Sequence, residues 1–358
     1  MKGTAMLSLI AAMMALAPGQ WNLDARVNTL LDESGSPAAL VAVISDEGYE
    51  IAVAGVRAHG SEAPVTQDDL WHLGSVTKPV TATLAARLVE QGVISWDARV
   101  GDVLAGLDLD IHPDLARADL TALLSHRSGM RANAGLLTSV RLAGADGDRD
   151  AAADRRVYAR EVLRRPGGAP GEFVYSNAGY VVAALMMETA AGEAYEALMA
   201  REVFDPLGLG SAGWGPPGQP GRMDQPRGHG PGLFGMGVRS HEPGADADNP
   251  PALNPAGRIH MNARDILTFL DLHRRGAAGA ATDYLQAGSF ARLHAPQGEY
   301  ALGWGVSEDG RLSHAGSNTL WLVQAVIDPQ AGWAGVAGVN DGRLDQVSGP
   351  VRAALADD

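Results

Sequence analysis

The chain has 358 residues, a formal net charge of −14 and no cysteine. Its length accommodates two domains or one large one with a real core, and 46% hydrophobic with 20% charged residues is a globular balance. The acidic surplus repels phosphate backbones and argues against nucleic-acid binding, while the missing cysteines exclude disulfides, Cys-ligated zinc, iron–sulfur clusters and a thiol nucleophile.

Residues 1–19, MKGTAMLSLIAAMMALAPG, put one positive charge at Lys2 ahead of an apolar run from Ala5 to Ala17. That run is shorter than the roughly 20 residues that span a bilayer, and it has no polar face. This predicts a secretory signal peptide rather than a buried helix. Ala15-Leu16-Ala17 is a cleavage pattern that Pro18 obstructs, and a cut after Gly19 is the alternative. The expected protein is exported, periplasmic or secreted, with no stable membrane span once the signal is removed.

Residues 38–56 read as a β-hairpin, two apolar runs around Asp46-Glu47-Gly48. Residues 75–91 read as a helix, with Val76, Val80, Leu84 and Leu88 four apart and Gly92 as its stop. Pro79 is tolerable there only near the first turn. Further helices are expected over 120–125, 151–165, 178–191 and 194–204. Residues 206–257 then hold 13 Gly and 10 Pro, which cannot sustain long helices or central strands and suggest a rim or lid segment. A helix resumes over 262–274. Three strands, antiparallel, are expected over 300–306, 320–328 and 333–340. Strands thus lie at both ends and helices in the middle. The economical fold is α+β, an antiparallel sheet flanked by helices, formed by 20–80 and 255–358, with an all-α domain inserted over 81–254.

Of the 28 basic residues only Lys2 and Lys78 are lysine. Coding bias explains why lysine is rare but not why one persists in the body of the chain. Arginine carries charge equally well yet cannot release its proton, so a lone lysine marks a place where an amine must change protonation state.

Lys78 belongs to the first of three segments that could carry chemistry. In Gly74-Ser75-Val76-Thr77-Lys78, residues three apart lie one helical turn apart, so Ser75 Oγ and Lys78 Nζ can meet at a helix amino terminus. A serine needs such a base before it becomes a nucleophile. Alone, the pair is equally a helix cap followed by a surface lysine. The second, Tyr175-Ser176-Asn177, stands at a loop-to-helix junction. Alone, it reads as an Asn cap beside a buried tyrosine. The third, His314-Ala315-Gly316-Ser317, stands on or beside a strand, with Gly316 small enough for a substrate backbone to approach. Alone, it is equally a bulge in an edge strand.

In this order the three resemble the S-x-x-K, Y-x-N and K-T-G motifs of the serine β-lactamases and penicillin-binding peptidases, in the class C β-lactamase-like branch. The resemblance extends over DLWHLGSVTKPVTATLAARLVEQG, LTALLSHRSGM, NPAGRIHMNARDILTFL and YALGWGV…LSHAGSN, most of the chain from residue 21 to 339. It implies a β-lactamase/transpeptidase-like fold with the site between sheet and helical domain. It further implies that Ser75 is the nucleophile, Lys78 the base or proton shuttle, and Tyr175 the second proton carrier, which would need nearby positive charge to ionise. Asn177 would bond Lys78 or substrate, and the amides of Ser75 and Ser317 would form the oxyanion hole. No cofactor or metal is implied, the substrate is a small molecule or peptide, and the oligomeric state is left open.

The departure is His-Ala-Gly where the family has Lys-Thr-Gly. His314 is mostly neutral at pH 7 and Ala315 has no hydroxyl, so two features that hold a substrate carboxylate are lost. Arg258 is a remote candidate to replace the charge. The expectation is an esterase- or peptidase-like serine hydrolase with weak or no β-lactamase activity. The alternatives are a class C-like β-lactamase or DD-carboxypeptidase, and a non-catalytic penicillin-binding receptor. Trp214, Phe234, Trp304 and Trp321 read as core rather than as an acyl pocket, and His126 as a packing or capping residue.

Overall fold

A computed structural model describes residues 21–143, 150–232, 235 and 237–356. The expected signal peptide and Phe234 lie outside the described residues. The strands are β1 (Ala38–Ser45), β2 (Gly48–Gly55), β3 (Leu70–His72), β4 (Gly213–Trp214), β5 (His229–Pro231), β6 (Val238–Ser240), β7 (Ile259–Asn262), β8 (Gly305–Val306), β9 (Leu312–Ser317), β10 (Leu322–Asp328) and β11 (Trp333–Val339).

Six of them form one antiparallel sheet in the order β2-β1-β11-β10-β9-β8, so residues from both ends of the chain share it. The run ALVAVI in β1 is apolar without alternation because both faces of this sheet are covered. Ala39, Val41 and Val43 face the helices Leu23–Ser34 and Leu344–Ala353, with Trp21 edge-on to Trp333 at 4.6 Å. Ala38, Leu40 and Ala42 face the main core, which the helix Ala263–Ala277 enters through Ile266, Leu267, Phe269 and Leu270.

The helices of the middle segment surround two that are buried almost all round, Thr77–Glu90 and Asn177–Ala191. Arg155, fully buried on the helix Ala151–Val162, ties that helix to Glu188 and Glu196. A second small sheet, β3-β7-β4, lies where the two helical and sheet layers meet, and β3 leads directly into the Ser75 turn. Among the described residues no helix is long and apolar enough to cross a membrane.

The hairpin and the expected helices are present within a few residues, although the one expected over 194–204 changes pitch to a π-helix over Ala200–Phe204. Among its described residues the Gly/Pro-rich stretch forms short strands, 3-10 turns, the end of the helical turn Asp205–Leu207 and the helical turn Asn254–Gly257. It is not merely a rim, since Ala247, Ala252, Ala256 and His229 are buried. The expected strand over 300–306 shrinks to β8, and β9 appears instead. The inward residues of β9 are Leu312, His314 and Gly316, so its alternation does not read as apolar. The helices Leu23–Ser34 and Leu344–Ala353 are not among the expected elements. The second carries Gly349 and Pro350, which argue against a helix until Val347 and Val351 are buried against the sheet.

Candidate active site

Ser75 stands on the 3-10 turn Gly74–Val76, between the end of β3 and the helix Thr77–Glu90. Gly74 has φ +49, and a Cβ there would fall 2.3 Å from the Ser317 nitrogen. Lys78 is one turn further on, fully buried, with Nζ 2.9 Å from Ser75 Oγ. Nζ is also 2.7 Å from Asn177 Oδ1 and 2.7 Å from the Ala256 carbonyl. The rings of Tyr175 and Tyr180 stand 4.8 and 5.5 Å from it. Burial pushes the Lys78 amine well below its ordinary value, because a charged ammonium loses its hydration there.

The Tyr175-Ser176-Asn177 junction divides its labour differently from the capping reading. Ser176 is the cap, its Oγ accepting from Gly179 N at 2.9 Å and donating to the Arg131 carbonyl at 2.6 Å. Asn177 is thereby free to face Lys78. Its Nδ2 donates to Asn133 Oδ1 at 2.9 Å, which fixes the amide so that Oδ1 points at the amine. Tyr175 stands beside the Ser75 side chain, and part of its ring faces the cleft. Burial of the phenol outweighs that contact and raises it to about 12.

His126 caps nothing. It has φ +63, and its Nδ1 accepts from Ser176 N at 3.0 Å. Its ring lies 4.4 Å from Tyr175 and 4.7 Å from Tyr300. Burial first, then the neighbouring Lys78 and His314, depress it to about 2, so it is a neutral brace for the Tyr175 loop.

On β9, His314 has both nitrogens engaged. Nδ1 lies 2.8 Å from the Ala315 carbonyl, which can only accept, so Nδ1 carries the hydrogen. Nε2 therefore accepts from the Tyr300 hydroxyl at 3.1 Å. Burial depresses the ring to about 3, so it is neutral and offers the cleft no cation. The expected use of Gly316 is corrected in one respect. The chain that needs its smallness is this protein's own, since a Cβ would fall 2.0 Å from the Leu73 carbonyl and 2.7 Å from Ser75 N. Ser317 thus lies against the Ser75 turn, with its Oγ accepting from Thr319 N at 3.0 Å.

Ser75, Lys78, Tyr175, Asn177, Gly316 and Ser317 therefore converge, and His314 stands behind Tyr175 with ring centres 6.3 Å apart. A cleft of about 680 Å³ opens beside Tyr175, lined by Tyr300, His314, Ala315 and Gln324 among others. Arg258 is neither solvated nor in the cleft, because it is held by Asp248 and Asn254. Trp304 and Trp321 are core, and Trp214 packs half-buried on Tyr195 and Phe204. Among the described residues no cluster of three His, Asp or Glu could hold a metal. The Ala256 carbonyl, Asn133 and Tyr300 are the contributors that the sequence reading omits. The first acts through its backbone and leaves no trace in residue type.

Residues 10–357 match the model of the Beta-lactamase family. The chain is 29% identical to Penicillin-binding protein 4 of Amycolatopsis lactamdurans over 75% of its own length and 68% of that protein's. It is 28% identical to Esterase EstB of Burkholderia gladioli, covering 96% and 98% of the two chains. Its fold is similar to that of the D-amino acid amidase of Ochrobactrum anthropi SV3, with a TM-score of 0.72, 21% identity, and 93% and 97% of the chains covered.

Proposed function

The chain belongs to the Beta-lactamase family and is a serine hydrolase, and we propose that it hydrolyses an ester or amide through an acyl-enzyme on Ser75. The observation that carries this reading is the environment of Lys78. A neutral amine has two N–H groups and one lone pair. Asn177 Oδ1 and the Ala256 carbonyl can only accept, so they take the two N–H groups. The lone pair is then aimed at Ser75 Oγ, 2.9 Å away. Burial supplies the neutral amine and the two acceptors supply its direction.

Lys78 takes the Ser75 proton as Oγ bonds to the carbonyl carbon, and the carbonyl π pair moves onto oxygen. The amides of Ser75 and Ser317 stabilise that oxyanion, a contribution of about 2.7–4 kcal/mol per donor. The C–O or C–N bond then breaks, and the leaving group takes the Tyr175 proton, which Lys78 replaces. Tyr175 is protonated at rest, so it acts as an acid without the phenolate that the family resemblance asks for. Water next attacks the ester, its proton passes to Lys78, and Ser75 leaves with that proton.

The neutral His314 and the methyl of Ala315 supply neither charge nor hydroxyl for a substrate carboxylate, which favours esters and simple amides over β-lactams. The esterase and amidase among its similar proteins fit this preference. A panel of p-nitrophenyl esters, a D-Ala-D-Ala peptide and nitrocefin tests the reading. Ester turnover that disappears in Ser75→Ala is expected. Efficient nitrocefin or D-Ala-D-Ala hydrolysis would overturn the substrate argument, and stable β-lactam labelling without turnover would favour a receptor. The composition of residues 1–19 supports export, which amino-terminal sequencing of the mature protein tests.

A further inference from the structure

Asp248 belongs to the Gly/Pro-rich stretch and takes no part in the chemistry above, yet its carboxylate is buried and fully partnered. Its side chain is 1% exposed. Oδ2 accepts from His72 Nε2 at 2.8 Å and from Arg258 Nε at 3.1 Å. Oδ1 accepts from Asn318 Nδ2 at 3.1 Å and from Asn249 N at 2.8 Å.

The partners point to two different places. His72 Nδ1 accepts from Gly74 N at 3.1 Å, so its other nitrogen carries the hydrogen given to Asp248. That chain ends on the peptide next to Ser75. Asn318 directly follows Ser317, and its Oδ1 accepts from Leu320 N at 3.2 Å. That chain ends in the turn that follows β9, whose last residue Ser317 carries the second amide. Arg258 supplies the counter-charge and also donates to Asn254 Oδ1 at 2.6 Å, at the head of the turn whose Ala256 carbonyl holds Lys78. A single carboxylate thus spans the nucleophile turn, the β9 end and the segment that orients the base.

We propose that Asp248 is a positioning residue. Through His72 and Asn318 it fixes the separation of the Ser75 and Ser317 amides, and so sets the oxyanion hole from a loop remote in sequence. The inference rests on the acyl-enzyme reading above. An oxyanion exists only in the transition state, so loosening the hole slows turnover without weakening ester binding.

The test compares Asp248→Asn, His72→Phe and Asn318→Ala with wild type on a p-nitrophenyl ester, well below each melting temperature. Asp248→Asn should lower kcat about 10–10²-fold with KM within about twofold, and slow fluorophosphonate labelling of Ser75 by a similar factor. His72→Phe and Asn318→Ala each cut one arm and should each give part of that loss. Adding either to Asp248→Asn should lower kcat little further, because both act through the same carboxylate. If Asp248→Asn does not fold, the two single-arm variants carry the test. Folded variants with wild-type kcat, or losses confined to melting temperature, would overturn the proposal. Wild-type ester turnover surviving in Ser75→Ala would instead sink the acyl-enzyme reading itself.

Discussion

Replacing Asn177 by aspartate changes one atom type at the place where the base is aimed. Oδ1 lies 2.7 Å from Lys78 Nζ, so the new carboxylate stands against the amine. Asn133, now accepting from Asn177 Nδ2, can turn its own amide to donate, so the substitution needs no repacking. Two unit charges about 4 Å apart at an effective dielectric of about 20 attract by about 4 kcal/mol. At 1.36 kcal/mol per pH unit that is about 3 units, or about 2–3 once the new carboxylate's own burial is discounted. The shift is upward, because the carboxylate stabilises the ammonium. Activity requires the neutral amine, so it rises with pH through the Lys78 value and the whole rise moves to higher pH. In Asn177→Asp, the acid limb of kcat/KM should move about 2–3 units to higher pH, with a loss of one decade per unit along that limb and recovery toward wild type in alkali. The assay is the pH profile of p-nitrophenyl ester turnover, corrected for spontaneous hydrolysis, with thermal melts to establish folding. A profile that superimposes on wild type would refute the reasoning, since Lys78 would then be working as an ammonium.

Three further outcomes follow from the same contacts. In Gly316→Ala the new methyl, 2.0 Å from the Leu73 carbonyl, must move to about 3.4 Å, and a displacement above 1 Å at this seam should cost about 10²-fold or more in kcat. Steady-state kinetics on folded protein check this, and a wild-type kcat would show that β9 does not set the oxyanion geometry. In Arg155→Leu, Glu188 and Glu196 lose their buried partner, a loss of about 3–5 kcal/mol and about 4–7 °C in Tm by calorimetry. Against Lys78→Met, wild type should gain unfolding free energy as pH rises from neutral toward the ordinary lysine value. In that window the unfolded lysine holds a proton that the folded one has shed, so denaturant titrations of both proteins should diverge in that direction.

The parts of the fold that were legible in sequence are those whose own residues carry the signal. The hairpin declares itself by two apolar runs and a turn, and Ser75 with Lys78 by their spacing and by lysine's rarity. What was illegible depends on partners distant along the chain. The inward positions of β9 include a histidine and a glycine, so the sequence places the His314 segment on or beside a strand without giving its bounds until Tyr300 and the Ser75 turn are beside it. For Asn177 the bond to Lys78 is implied by the family resemblance, while its own spacing offers only a cap. Its role follows from Ser176 having taken the cap, and two adjacent residues each able to cap cannot be ranked from spacing. Asp248 and the Ala256 carbonyl lie in a stretch whose composition predicts only irregular backbone, yet that stretch delivers an acceptor to the base.

Burial is the common cause behind the site's three protonation states. It pushes Lys78 toward the neutral amine, keeps the proton on Tyr175, and holds His126 and His314 neutral. A cation at position 314 would also favour the neutral amine at rest, but it would oppose the ammonium that forms when Lys78 takes the Ser75 proton. A neutral histidine locked by Tyr300 and the Ala315 carbonyl leaves the amine as the base beside Ser75, without a titrating cation next to it on β9. The departure from Lys-Thr-Gly therefore changes more than substrate choice. It removes an electrostatic competitor of the base, so the pH dependence of turnover should be governed by Lys78 alone on its acid side. The single-step acid limb expected in wild type would become two steps if His314 also titrated in the working range.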